Sequence, residues 1–178
     1  MSLYRKLDSL GPSDSSVSIG KFFGVLLLRS LIVVLLAIVV EAPFGYILKP
    51  DENFYGSVIM AAVIAPSVEE TFKALGAIEA GKKLRAKGEK PYHPKYGFRI
   101  GLLFGLIETL LYCFAYAHNY LQRLMLFVVR IAVSVPLHAA DTSMFLYGLY
   151  IRGRPGRYNR IIYAYLVHGL FNFAMVTG

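Results

Sequence analysis

The sequence predicts an all-α protein, a polytopic transmembrane helix bundle of about five spans with a polar site at mid-membrane depth. Three observations predict this class: 56% of the 178 residues are hydrophobic and 17% are charged, the mean hydropathy is +0.53, and the apolar residues form long runs. Soluble domains average about 45–50% apolar and about 25% charged residues. Because about 20 apolar residues cross the hydrocarbon core, each long run predicts a membrane helix.

The chain divides into a polar leader, residues 1–20, and one transmembrane helical domain, residues 21–178. The first predicted span is 22–48, in which Arg29 can reach the membrane interface. The second is 54–80, and Pro66 inside it frees a backbone carbonyl that neighbouring helices must satisfy. The third is 98–117, where Gly105 permits a close helix approach.

The fourth predicted span, 121–150, is longer than the ~20 residues that a crossing needs. Pro136 divides it, which predicts one broken or tilted helix rather than two half-spans. The last span is 161–176. The net charge is +8, and the basic residues fall in short loops, 81–97 and 152–160. This distribution indicates a multi-pass membrane protein with a cytoplasmic N-terminus and excludes a nucleic-acid-binding role.

Four of the spans carry ionisable or polar residues near their middles. At about 1.5 Å per residue these groups fall at nearly one depth. A charge at the centre of a membrane helix costs about 2.5–3.5 kcal/mol, so the cluster predicts a functional site. Its members are Glu69, Glu70 and Lys73 in the second span, Glu108 in the third, His138, Asp141 and Thr142 in the fourth, and His168 and Asn172 in the fifth.

The spacing within each span suggests roles. Lys73 follows Glu70 by three residues and Glu69 by four, so it can neutralise one carboxylate and leave the other as a general base. Asp141 follows His138 by three residues, where a carboxylate can orient the imidazole.

In the fifth span, His168 and Asn172 stand one turn apart, and both can donate hydrogen bonds to an oxyanion. Arg130 is also intramembrane, and its partner is either Asp141 or a phospholipid headgroup. The single cysteine, Cys113, excludes an intrachain disulfide.

The motifs on these spans resemble, in this order, those of the PrsW-type membrane proteases, which share the CPBP superfamily with the CAAX prenyl proteases. The motifs are Glu69-Glu70-x-x-Lys73, Phe104-Gly105-x-x-Glu108, His138-x-x-x-Thr142 and His168-Gly169-x-x-Asn172. The resemblance covers residues 54–173. It implies that Glu69 activates water with Glu70 as its partner, that Lys73 holds the basic position, and that the two histidines and Asn172 complete the site. Five spans are fewer than many family members have.

The resemblance implies an intramembrane endopeptidase in the cell membrane of a prokaryote, acting on a membrane-anchored protein or peptide. Within the enzyme class, the alternative is a metallopeptidase that holds Zn²⁺ or another divalent metal. Its possible ligands are Glu70, Glu108, His138 and His168. Two non-hydrolytic alternatives remain open, a membrane scaffold or chaperone subunit and a proton-coupled transporter, although the short chain without repeated halves disfavours a transporter.

Overall fold

The computed structural model describes residues 17–86, 88–115, 119–151 and 153–177. These residues form five helices and no strand, which confirms the all-α prediction. Most of the predicted leader, residues 1–16, lies outside the described residues, as does the loop residue His118. The helices are α1, Ile19–Leu48; α2, residues 54–84; α3, Pro94–Ala115; α4, Tyr120–Tyr150; and α5, Arg157–Thr177.

Three helices, α1, α3 and α4, are long and apolar enough to cross a membrane. Their length and composition identify an integral membrane protein. The helices α2 and α5 are not among these three, and both carry residues of the polar cluster. That these two helices also cross the membrane, and that the N-terminus is cytoplasmic, stay predictions.

Short turns with polar caps join the helices into an antiparallel bundle. The side chains of Asn53 and Asn119 accept hydrogen bonds from the backbone amides of Tyr55 and Gln122, at 3.0 and 2.9 Å, and thereby cap α2 and α4. Lys49 ends α1 in the left-handed conformation, with φ of 46°. Because successive helices reverse direction, we call the end with loops 85–93 and 151–156 the basic end, and the opposite end the far end.

Both α2 and α4 contain a π-turn shortly before a proline. The π-turns are Met60–Ile64, before Pro66, and Arg130–Ser134, before Pro136. Proline has no N–H and crowds the preceding turn, so the wider backbone relieves the clash. With one exception, Gly56, the buried residues of these two helices begin at or after the π-turn. The π-turns therefore mark where each helix enters the packed core.

Helix α2 lies at the centre and contacts all four other helices. Between α3 and α4, glycines allow backbone contact: a Cβ on Gly97 would lie 2.5 Å from the Thr142 carbonyl oxygen, and one on Gly105 would lie 3.0 Å from the His138 ring. This close packing places His138 beside the third-span carboxylate. The two apolar core clusters hold Phe22, Leu26, Ala77, Leu84, Tyr96 and Ile100 near the basic end, and Val33, Val34 and Phe104 nearer the site.

Candidate active site

Lys73 occupies the middle of the polar cluster and is completely buried. Its Nζ lies 2.5 Å from Glu70 Oε1, 3.5 Å from Glu69 Oε2 and 2.9 Å from His138 Nδ1. The ammonium also lies 4.6 Å from the centre of the Phe104 ring, a cation–π contact. Lys73 therefore contacts both carboxylates, and unequally, because it pairs closely with Glu70 and only loosely with Glu69. That it neutralises one carboxylate and leaves the other as a general base stays a prediction.

Glu70 is fully engaged by three partners. Besides Lys73, its Oε2 accepts a hydrogen bond from Thr142 Oγ1 at 3.1 Å. Its Oε1 accepts one from His168 Nδ1 at 2.9 Å. Because Nδ1 of His168 is the donor, the neutral ring has a bare Nε2 on its other side. Glu70 thus fixes the orientation and tautomer of His168.

His138 is held between two helices by both of its ring nitrogens. An ammonium can only donate, so Nδ1 accepts from Lys73, and Nε2 donates to Glu108 Oε2 at 2.7 Å. The same Glu108 oxygen accepts from Arg130 Nη2 at 2.6 Å. Two expectations change here: the carboxylate that orients His138 is Glu108 and not Asp141, and Arg130 pairs with Glu108.

Glu69 differs from its neighbour because its Oε2 is buried and has no hydrogen-bond partner among the described residues. This oxygen lies 3.7 Å from His168 Nε2 and 3.9 Å from His138 Nδ1. Both distances exceed a hydrogen bond, and both are short enough for a water or an ion to bridge the groups. Of the two adjacent carboxylates, Glu69 is therefore the one available for chemistry.

The remaining predicted residues lie around this centre. Thr142 supports Glu70, as described above. Asp141 is 1% exposed, and its Oδ2 has no hydrogen-bond partner in the described part of the chain. Asn172 is half-buried on α5, one turn beyond His168. No hydrogen bond fixes the Asn172 amide within the described ranges, so its role as an oxyanion donor stays a prediction.

One residue near the site was missed by the sequence analysis. Glu41 on α1 is half-buried and lies within Coulombic range of Glu108, Lys73 and Glu69. Its Oε1 is buried without a hydrogen-bond partner among the described residues. The sequence contained a feature that could have identified it, because Glu41 is the one acidic residue in the first apolar run. An intramembrane carboxylate is by default a candidate for function.

The donor atoms fit a divalent metal ion. Glu69, His138 and His168 each offer one ligand atom, and these atoms lie within 4.8 Å of one another. Two histidines and one carboxylate form a known zinc ligand set. The other nitrogen of each imidazole is held by a carboxylate, Glu108 or Glu70, which is the usual support of metal-bound histidine. Lys73 competes with a metal ion for His138, because its Nζ already contacts Nδ1 of that ring.

A second group with the same spacing contains Glu70, Asp141 and His168. Glu108 is in neither group, so the four ligands proposed from the sequence do not assemble as one set among the described residues. The first group is the better candidate because Glu69 Oε2 has no hydrogen-bond partner among the described residues and pairs with Lys73 only at 3.5 Å, whereas both oxygens of Glu70 accept hydrogen bonds.

Comparison with known proteins identifies a family for the chain. Neither a curated protein nor a solved structure matches the chain. A family model described as "PrsW family intramembrane metalloprotease" matches residues 18–178, which include all five helices and every residue of the polar site. The chain therefore belongs to the PrsW family of intramembrane metalloproteases and is an intramembrane peptidase.

Proposed function

We propose that the protein hydrolyses peptide bonds of membrane-anchored substrates at the centre formed by Glu69, His138 and His168. One observation carries this proposal: Oε2 of Glu69, which has no hydrogen-bond partner among the described residues, lies 3.7 Å from His168 Nε2 and 3.9 Å from His138 Nδ1. A water in this position contacts a carboxylate that can accept its proton and two imidazoles that can orient it. Placement in the CPBP superfamily is part of the same proposal and rests on the motif resemblance.

In the proposed reaction, Glu69 takes a proton from the water as the oxygen attacks the scissile carbonyl, and the same carboxyl then returns the proton to the leaving amine. Glu70 and Glu108 keep the two imidazoles in place. The buried charge of Lys73 stabilises negative charge that develops beside it, because its field is weakly screened in the low-dielectric interior. In this reaction Asn172, one turn from His168 on α5, donates its amide to the oxyanion.

Glu69, His138 and His168 would hold the metal that the family description implies. When bound there, a divalent metal would make its water acidic near neutral pH and polarise the substrate carbonyl. For His138 to offer Nδ1, Lys73 must move away from that nitrogen. Its ammonium already contacts Glu70 at 2.5 Å, so it keeps a partner after the move.

A metal-free glutamate mechanism is the second candidate, and the position of Lys73 favours it. The ammonium lies 2.9 Å from His138 Nδ1 and 3.5 Å from Glu69 Oε2. It therefore places a fixed positive charge beside the atoms that would otherwise bind a metal. In this version Glu69 alone activates the water.

The test of the proposed peptidase uses the purified protein in proteoliposomes with a panel of labelled single-span proteins. Cleavage by the wild type and loss of cleavage in Glu69→Gln are expected. The matched control is Glu79→Gln on the same helix, because the ion pair that Glu79 forms with Lys82 is exposed. Equal cleavage by Glu69→Gln and the wild type would remove Glu69 from the reaction.

Metal content and chelation separate the two mechanisms. The metal mechanism predicts one divalent ion per protein by elemental analysis, loss of activity after chelation, and recovery when Zn²⁺ is returned. It also predicts that His168→Ala lowers the metal content. Full activity in chelated protein without bound metal would establish the metal-free mechanism.

A further inference from the structure

A cavity of about 190 Å³ lies between α3 and the N-terminal part of α4, at the far end of the bundle. Leu110 and Phe114 of α3 line it from one side, and Leu124 and Phe127 of α4 line it from the other. Each of these four side chains is at least 39% exposed. Because α3 and α4 are both long and apolar enough to cross a membrane, their exposed apolar side chains meet the hydrocarbon of the bilayer. This space, which we call the α3–α4 cavity, is therefore within reach of lipid.

Of the described residues that line the α3–α4 cavity, one is charged, Arg123, and its side chain is exposed. Nε of Arg123 donates a hydrogen bond to the carbonyl oxygen of Cys113 at 3.2 Å. The guanidinium carbon lies 5.4 Å from the centre of the Phe114 ring, a cation–π contact. Neither contact uses the hydrogens of Nη1 and Nη2, and no described carboxylate forms an ion pair with Arg123. The guanidinium is thus anchored while its terminal donors remain available to a ligand.

Arg123 lies at the end of the bundle where basic residues are few. The described basic residues near helix termini at the far end are Lys49 and Arg123, and Lys49 pairs with Glu52 at 3.2 Å. The positive-inside pattern explains the basic loops at the other end and leaves Arg123 unexplained. Arg123 follows Asn119, the N-cap of α4, by one turn, so it lies at the membrane interface, where long basic side chains place their charge. An arginine at that depth without a carboxylate suits an anionic lipid headgroup.

A membrane phospholipid matches both parts of this site. An apolar cavity of ~150 Å³ excludes water and takes up hydrocarbon, so an acyl chain suits the α3–α4 cavity better than water does. A guanidinium binds phosphate oxygens through paired N–H groups. No carboxylate of the described residues lines the cavity, so the ammonium of a zwitterionic headgroup would find no partner beside Arg123. These features favour a phospholipid with a net negative headgroup.

We propose that the α3–α4 cavity binds one anionic phospholipid, with an acyl chain between Leu110 and Phe127 and the phosphate on Nη1 and Nη2 of Arg123. The site lies outside the polar centre, so this inference does not depend on the proposed peptidase function. The lipid bridges α3 and Tyr120–Val129 of α4, a segment without a buried residue that packs only against α3 and its own π-turn among the described elements. Binding therefore stabilises this part of the bundle.

The sequence contains no tryptophan, so a single introduced tryptophan is a specific fluorescent reporter. Phe127→Trp and Leu110→Trp place it on either side of the cavity, and Leu35→Trp places it on α1, where Leu35 is 62% exposed. Each variant is reconstituted into phosphatidylcholine vesicles that contain a minor fraction of phosphatidylglycerol. Bromine atoms, which quench tryptophan on contact, are carried by the acyl chains of one lipid or the other. At the two cavity positions we expect brominated phosphatidylglycerol to quench as if it were roughly tenfold enriched over its bulk fraction, which corresponds to about 1.4 kcal/mol of preference. At Leu35→Trp, quenching should follow the bulk composition.

Arg123→Gln, combined with either cavity reporter, should reduce the enrichment to the bulk value. Lys49→Gln is the matched control, because it removes the other cation near a helix terminus at the far end, and it should keep the enrichment. With Arg123 in place, high salt should weaken the enrichment, since exposed charges are screened, and this readout does not depend on the folding of an Arg123 variant. Bulk-like quenching at both cavity positions, equal enrichment of phosphatidylcholine, enrichment that survives Arg123→Gln or high salt, or shielding of both positions from either brominated lipid by a second copy of the protein would overturn the proposal.

Discussion

Replacing Lys73 by methionine tests the electrostatic structure of the site most directly. The methionine side chain is similar in length and apolar, so packing against Phe104 is largely kept, while the ammonium and its contacts with Glu70, Glu69 and His138 are lost. Removing one partner of a buried ion pair typically costs about 3–5 kcal/mol, because the other charge is left uncompensated. We expect Lys73→Met to destabilise the protein by about this amount.

A double variant identifies the cause of that loss. In Lys73→Met with Glu70→Gln the uncompensated charge at Glu70 is removed, so a large part of the lost stability should return. The matched control is Lys82→Met on the same helix, where the lost ion pair with Glu79 is exposed at the surface. This control should unfold nearly as the wild type does.

Unfolding in mixed detergent micelles, followed by circular dichroism, measures these differences. If Lys73→Met loses less than about 1 kcal/mol, the pair contributes no more than an ordinary surface salt bridge, and the reasoning from burial is refuted. If the double variant is no more stable than Lys73→Met, the loss does not come from the stranded carboxylate. Metal content in the same variants adds a second readout, since loss of the ammonium frees His138 Nδ1 for a metal.

Three further variants probe other parts of the structure. Glu70→Gln should lower the thermal midpoint in detergent, because all three hydrogen-bonding or ionic partners of this carboxylate are buried. Gly101→Leu should both destabilise the bundle and reduce cleavage, because a Cβ there would lie 2.8 Å from the carbonyl carbon of His138; unchanged melting would contradict this contact. In loop 85–93, partial burial of Glu89 raises the pKa of its carboxyl, but the hydrogen bond with Lys95 lowers it by more. The pKa of Glu89 is therefore below its usual 4.5. The ionised carboxylate therefore stabilises the loop at pH values above its unfolded pKa, and this stabilisation is lost as the pH falls through the lower folded pKa. Hydrogen exchange should show protection of the loop at neutral pH that disappears over this range. Glu89→Gln should show no such pH-dependent protection.

Much of the architecture was predictable because membrane helices are encoded locally. Apolar run length and intramembrane charge locate the helices and the level of the site without any knowledge of packing. The pairing of Lys73 with Glu70 was predictable for the same reason, since both lie on one helix at fixed spacing. The contact between α3 and α4 also has a local signal, the four-residue spacing of Gly97, Gly101 and Gly105.

Partners on different helices were harder to predict, because they depend on how each helix is rotated about its axis. The π-turn Arg130–Ser134 changes that rotation partway along α4. The sequence left the partner of Arg130 open between Asp141 and a phospholipid headgroup, whereas in the structure Arg130 pairs with Glu108 on α3. Likewise, Asp141 lies one turn from His138 on the same helix, yet the imidazole is held by side chains from α2 and α3.

The charges around the site provide one more argument about its chemistry. Five carboxylates lie in or near it, those of Glu41, Glu69, Glu70, Glu108 and Asp141. Among the described residues that pair with them, two carry a fixed positive charge, Lys73 and Arg130. Excess negative charge of this size is not stable at low dielectric, so the site must take up protons or bind a cation. Protons on Glu41 and Asp141 would leave three carboxylates against these two cations, an excess of one negative charge that a proton or a bound cation at Glu69 would offset. The metal and glutamate mechanisms therefore differ in how Glu69 itself is compensated, which is the quantity that metal analysis of the wild type and Glu69→Gln measures.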